Sequence, residues 1–276
     1  MAVEPQFTRQ ARLNDALTAA RGQATVPEGK GGHVFVDGTL HRILDISDLI
    51  KGSGAFAYSV NENELAHLCA HVDVTALGFN GLRTTTLAPL RQMKGLTGLG
   101  LWWVQKLSNL SPLADLCLDC LVLDDLRYAN DITPLAQIKK LRALAISGGM
   151  NTTQLINTLE PLTHLRHLRE LRLTAIKLGD DSLRPLAHCA ALTDLSLPNT
   201  FPTEDYAYLR AKCPDLRCKD LVAYQSTGSI SRSNEVMVTG RRKPFLNLKK
   251  DEKRLTDYQR KFDALVAGFL SSGDNP

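Results

Sequence analysis

The sequence predicts an α/β solenoid, a stack of short parallel strands whose concave sheet is closed at each end by a cap. Three columns of residues predict it. An apolar triplet of spacing L-x-x-L-x-L recurs as Val74-Leu77-Phe79, Leu96-Leu99-Leu101, Leu118-Leu121-Leu123, Leu141-Leu144-Ile146, Leu168-Leu171-Leu173 and Leu192-Leu195-Leu197, and a degraded copy is Leu216-Lys219-Leu221. The steps between copies are 22, 22, 23, 27, 24 and 24 residues. A Pro-Leu pair falls between triplets at Pro89-Leu90, Pro112-Leu113, Pro134-Leu135, Pro161-Leu162 and Pro185-Leu186. A third apolar column precedes each triplet, with Met93, Leu116, Ile138, Leu165, Cys189 and Cys213. A near-constant period of this length is the mark of a repeat array, because two inward leucines on one short strand cannot bury themselves without a neighbouring copy.

Residues 1–72 read as an N-terminal cap. Phe7, Leu13 and Leu17 have helical spacing over 7–21. Residues 33–46 read as a hairpin around Asp37-Gly38, a strong two-residue turn signal. Asn61 stands where a helix over 61–71 needs a side-chain cap. The repeats occupy 73–222. Each proline begins a short convex helical turn, where its missing N–H costs nothing. The long fourth copy, with 148–159 inserted, predicts a fuller helix on the outer face. Residues 223–276 read as a C-terminal cap: a polar turn over 224–234, two short strands around Thr239-Gly240, and a basic amphipathic helix from Lys250 to Leu270. That helix shows Leu255, Tyr258, Phe262, Leu265 and Phe269 on one face.

These motifs resemble the leucine-rich repeat family, most closely its short, proline-containing, internalin-like bacterial type. Ser108-Asn109-Leu110-Ser111-Pro112-Leu113 and Asn130-Asp131-Ile132-Thr133-Pro134-Leu135 carry the resemblance to that turn. It covers about 74–221 and implies a rigid scaffold that binds another protein, with no catalysis and no cofactor. By analogy it suggests an immunity, antitoxin or effector-type adaptor. One feature departs from the family. The asparagine that usually follows the strand is replaced by Leu82, Val104, Leu126, Gly149, Ile176 and Thr200, so the apolar members of this set are expected to pack inward.

Side chains alternate along a strand, so the residues between the leucines face the concave surface. Both tryptophans, Trp102 and Trp103, follow the last leucine of the second triplet. Alternation sends at least Trp102 to the concave face, where Gly98 and Gly100 offer its ring little to lean on. Trp, Tyr and Arg carry much of the binding energy at protein interfaces. The expected partner-binding set is therefore Trp102, Trp103, Asp124, Asp125, Tyr128, Arg142 and Arg172.

The chain is 43% hydrophobic and 22% charged, with a formal net charge of +4. Residues 241–261 alone carry nine basic and three acidic side chains. An alternative patch for nucleic acid or an acidic partner is thus Arg241, Arg242, Lys243, Lys249 and Lys250, although no aromatic is seen to interleave with it for base stacking. No apolar leader core and no span-length apolar run is visible, and the six cysteines follow no secreted framework. A cytoplasmic protein with reduced thiols and no membrane contact is expected. Metal and catalytic signals are weak. His67 and His71 share a helix face but lack the glutamate of a zinc-protease motif. Cys117 and Cys120 fall beside a repeat strand, and the glycine loop at 28–32 lacks the phosphate-cradle pattern. No metal ligand and no enzyme is expected.

Overall fold

The computed structural model describes residues 6–22, 32–104, 106–227 and 234–272. Its core is a nine-stranded sheet. Five strands of five residues or fewer carry the second to sixth copies of the repeat, the first lying on the longer β4: β5 (Gly98–Trp102), β6 (Cys120–Asp124), β7 (Ala143–Ser147), β9 (Glu170–Thr174) and β11 (Asp194–Ser196). Before them stand β3 (Ile50–Tyr58) and β4 (Val72–Asn80), joined by α2 (Glu62–His71). All of these pair in parallel. Leu77, Leu99, Leu121, Leu144, Leu171 and Leu195 stand in register across successive strands, each buried. Stacking them is what removes the leucine column from water, at roughly 1.5–3 kcal/mol for each fully buried side chain. The Pro-Leu pairs open five short 3₁₀ turns on the other side of the coil, with each leucine buried.

The hairpin is where the sequence puts it: β1 (His33–Val36) and β2 (Thr39–Arg42) meet around Asp37 and Gly38, both at positive φ. β1 also pairs antiparallel with β3, so the hairpin covers the open edge of the sheet. Asn61 caps α2 by accepting from the Glu64 N–H, and Glu64 reaches back to the Asn61 N–H. Of the glycine loop at 28–32, only Gly32 lies within the described residues, and its N–H donates to Glu64 at 2.6 Å. Leu82, Val104, Leu126 and Ile176 pack inward as expected.

Two local expectations are corrected. The parallel sheet begins one rung earlier than the leucine pattern shows, because β3 places Gly52, Ala55 and Ala57 in the register positions of Val74, Leu77 and Phe79. The long fourth copy carries no helix. It carries β8 (Gln154–Ile156), which pairs in parallel with β10 (Ile176–Leu178) as a separate two-stranded ribbon and turns Ile156 into the core. A full helix follows the last rung instead, α3 (Thr203–Lys212).

At the C-terminal end, β12 (Tyr224–Ser226), β13 (Glu235–Val238) and β14 (Phe245–Asn247) form an antiparallel sheet. Most of the turn expected over 224–234 lies outside the described residues. The amphipathic helix is α4 (Glu252–Ser271), packed on α3 with Leu255 and Phe262 buried. The helix at the other end, α1 (Thr8–Arg21), crosses the concave face of the sheet, touching β1, β3, β4, β6 and β7.

Candidate functional site

The concave floor is built from small residues. The side chains between the core leucines are Gly54 and Phe56, Ala76 and Gly78, Gly98 and Gly100, Cys120 and Val122, Ala143 and Ala145 on β3 to β7. A flat floor lets a helix approach closely. A Cβ at Gly98 would lie 2.7 Å from Leu13 Cδ1, and one at Gly54 would lie 3.1 Å from the Ala16 carbonyl oxygen. Leu13 and Leu17 of α1 are buried there with Ala76, Cys120, Val122, Ala143 and Ala145.

On β9 the floor turns charged, and the charge holds the start of α1. The Glu170 carboxylate is 2% exposed. It accepts from Thr8 Oγ1 and the Arg9 guanidinium, both at 3.2 Å, and from the Arg9 backbone N–H at 3.1 Å. A carboxylate at a helix N-terminus satisfies amides that have no partner inside the helix and is favoured by the helix dipole. Gln10 donates to the Leu144 carbonyl at 3.1 Å, and the Arg172 guanidinium lies 4.5 Å from the centre of the Phe7 ring. The expectation of a free concave sheet is thereby corrected: over β3 to β7 this surface is occupied by the chain's own first helix.

The two tryptophans separate. Trp102 does face the concave side, but its ring folds back over Gly100 and stacks on Phe56, with centroids 5.7 Å apart and planes at 27°. Glycine at 100 gives the ring a flat bed, the reverse of the expectation that it would find no support. Trp103 is in the left-handed region, φ 61°, and its side chain is 60% exposed. That conformation is a column property. Ser59, Gly81, Asp125 and Ala175 have it at the matching positions of their rungs. The N–H groups of Ser59, Gly81, Trp103 and Asp125 each donate to the next rung, at the carbonyls of Asn80, Trp102, Asp124 and Ser147, over 2.9–3.1 Å. This backbone ladder ties each of these turns to the next rung, and it swings Trp103 out to the rim.

The remaining expected residues scatter. Asp125 is 5% exposed and accepts from Thr152 Oγ1 at 2.7 Å, so it fastens the loop after β7 rather than facing a partner. Asp124 is half-buried beside it and accepts from the Ser147 hydroxyl. Burial pushes the Asp124 carboxyl above the ordinary carboxylate range, with the Asp125 charge adding to this and the Ser147 hydrogen bond opposing it. Arg142 lies at the opposite end of the strands, 2.8 Å from Asp119. Arg172 is engaged with Phe7. Only Trp103 and Tyr128, 59% exposed, share the rim that follows the strands. Met150, fully exposed after β7, joins that rim on the next rung. Sequence reading missed it because a methionine beside Gly148-Gly149 carries no periodic signal.

In the alternative patch, Arg242, Lys243, Lys249 and Lys250 are exposed, while Arg241 is tied to Asp181 and donates to the Thr200 carbonyl at 2.9 Å. Phe245 is exposed among them, so an aromatic does interleave with the basic residues. His67 and His71 stack at 4.1 Å, with His67 Nε2 engaged by the Ile46 carbonyl and His71 Nδ1 by the His67 carbonyl. Among the described residues no group of three or more His, Cys, Asp or Glu could hold a metal ion. All six cysteines are free; Cys117 is exposed, and burial pushes the Cys120 thiol up to about 12.

Inward apolar triplets and Pro-Leu turns recurring rung after rung, with a left-handed turn after β3, β4, β5, β6 and β9, all stacked in parallel, decide the architecture. The fold is a leucine-rich repeat solenoid. Among solved structures this chain is similar to internalin C2 of Listeria monocytogenes, at 22% identity and a TM-score of 0.44, over 75% of this chain and 80% of that one. It is also similar to the internalin InlF of the same species, at 20% identity and a TM-score of 0.43, over 79% of this chain and 58% of that one. No family model matches the chain, and no curated protein sequence does. Among the described residues no helix is long and apolar enough to cross a membrane.

Proposed function

We propose that this leucine-rich repeat chain is a non-catalytic protein-binding module that works in the cytoplasm and grips its partner with the rim after the strands, through Trp103, Tyr128 and Met150, with Asp124 beside them. The observation that carries this reading is Trp103, a large apolar side chain held out to solvent by a backbone that the rung-to-rung ladder fixes. Rigid aromatic anchors of this kind lose little freedom on binding and supply much of the affinity. The partner is another protein, with an apolar pocket that accepts an indole. A role as an immunity, antitoxin or effector-type adaptor fits such a surface. Capture of partners from a native lysate by wild type and by Trp103→Ala/Tyr128→Ala tests the site. Loss of a specific partner in the double variant is expected, and recovery of the same partners by both sinks the proposal.

A second reading rests on Phe245, exposed between the Arg241–Lys243 and Lys249–Lys250 clusters: nucleic acid, or an acidic partner, bound by the C-terminal hairpin. Phosphate contacts release counterions, so this binding is steeply salt-dependent. A labelled single-stranded oligonucleotide whose affinity collapses between low and moderate salt, and falls further in Phe245→Ala, favours it over the rim.

A further inference from the structure

The C-terminal sheet and helices enclose a cleft of about 540 Å³ that neither the rim nor the concave floor involves. Its size lies in the range of small-molecule sites, roughly 300–1,000 Å³. Its floor is apolar, with Val238 of β13 and Phe262 and Leu265 of α4. Two basic residues line it, Lys243 from the β13–β14 turn and Lys261 from α4, against one acidic residue, Glu204 on α3. Neither lysine forms an ion pair among the described residues. Lys243 instead lies 5.9 Å from the centre of the Tyr258 ring, which also lines the cleft. The lining residue Thr239 is 1% exposed, and its hydroxyl has no hydrogen-bond partner. A buried hydroxyl without a partner is costly and rare in a native fold.

We infer that this cleft binds a small organic anion with an apolar body, such as an aryl or short acyl carboxylate or sulfonate. The apolar part lies on Val238, Phe262 and Leu265, and the acid group sits between Lys243 and Lys261. Charge selects the sign of the ligand, since two lysines without ion pairs and one glutamate line the cleft. The floor selects against fully polar anions such as phosphate, which would leave it wet.

The test uses the full chain and the aryl sulfonate 1-anilinonaphthalene-8-sulfonate. Its fluorescence should rise to saturation with one site per chain and decline as the protein melts. Ala264→Trp, an exposed lining position on α4, fills the cleft and should weaken binding at least tenfold. Lys243→Gln/Lys261→Gln, both exposed positions, should weaken it several-fold and flatten its salt dependence. Circular dichroism melts check that each variant folds. Unchanged affinity in Ala264→Trp overturns the inference. So does equally tight binding of the uncharged analogue N-phenyl-1-naphthylamine, or a fluorescence signal that appears only as the protein unfolds.

Discussion

Trp102 and Trp103 are adjacent in the chain and belong to two different surfaces. The concave floor, where Trp102 lies, is made mostly of glycine and alanine, with Cys120, Val122 and one aromatic stack, and is covered by α1. The rim, where Trp103 stands, is made of left-handed turns; Trp103 projects from it into solvent, while Asp125 of the same column is buried against the loop after β7. The floor is tuned for packing within the molecule, and residues there bear on stability. At Trp103 the rim is fixed by the backbone ladder, so that exposed side chain is free to vary with the partner. Surface class is set by a single residue step, because alternation ends where the positive-φ turn begins.

Substitutions that respect this division should sort by stability. Trp102→Ala removes the ring from Gly100 and Phe56 and is expected to cost about 3 kcal/mol in urea unfolding, toward the low end for loss of a large aromatic. Gly98→Val pushes a side chain into Leu13 and should cost about 2 kcal/mol, as overpacking does, while exposing α1 to limited proteolysis. Equal protease resistance in that variant would mean that α1 does not depend on the floor. Trp103→Gly, in contrast, relieves a left-handed non-glycine residue and should leave stability unchanged or raise it by up to about 1 kcal/mol, though glycine also loosens the unfolded chain. A large loss there would mean that the Trp103 ring packs against the fold instead of standing free in solvent.

The smallest effect concerns pH. Burial first, then the Asp125 charge, holds the folded Asp124 carboxyl above its ordinary value of 3.8, against the Ser147 hydrogen bond. The folded state then binds the proton more tightly than the unfolded state does. Its contribution is present below the unfolded value and is lost as pH rises through the lifted one. Asp124→Asn should therefore flatten the fall of stability upward from about pH 4, the ordinary carboxylate range. An identical slope in wild type and variant would show that Asp124 titrates normally.

The repeat was legible because its signal is periodic: leucines, Pro-Leu turns and the Asp37-Gly38 hairpin all landed where their spacing put them. β3 was not, because Gly52, Ala55 and Ala57 occupy leucine positions and carry no apolar triplet. The address of α1 was hidden for a related reason. Local pattern gives a helix, but only the column of Gly54, Ala76, Gly98 and Ala143 says where it lies, and small residues do not announce a docking seat. Of the expected site, Trp103 and Tyr128 were readable as exposed aromatics. Asp125 was misread because its burial comes from Thr152, far along the chain in the inserted loop.

Arrays of stacked repeats ordinarily behave as a line of dominoes, each unit answering only to the one beside it. The first helix breaks that rule, because it lies lengthwise across several rungs and is fastened at one end by Glu170 and at the other by the Ala20 carbonyl, which accepts from the Gly38 N–H at 2.8 Å. It acts as a keel: rungs far apart along the coil share a single beam, so the middle of this molecule should melt in one step rather than peel from an end.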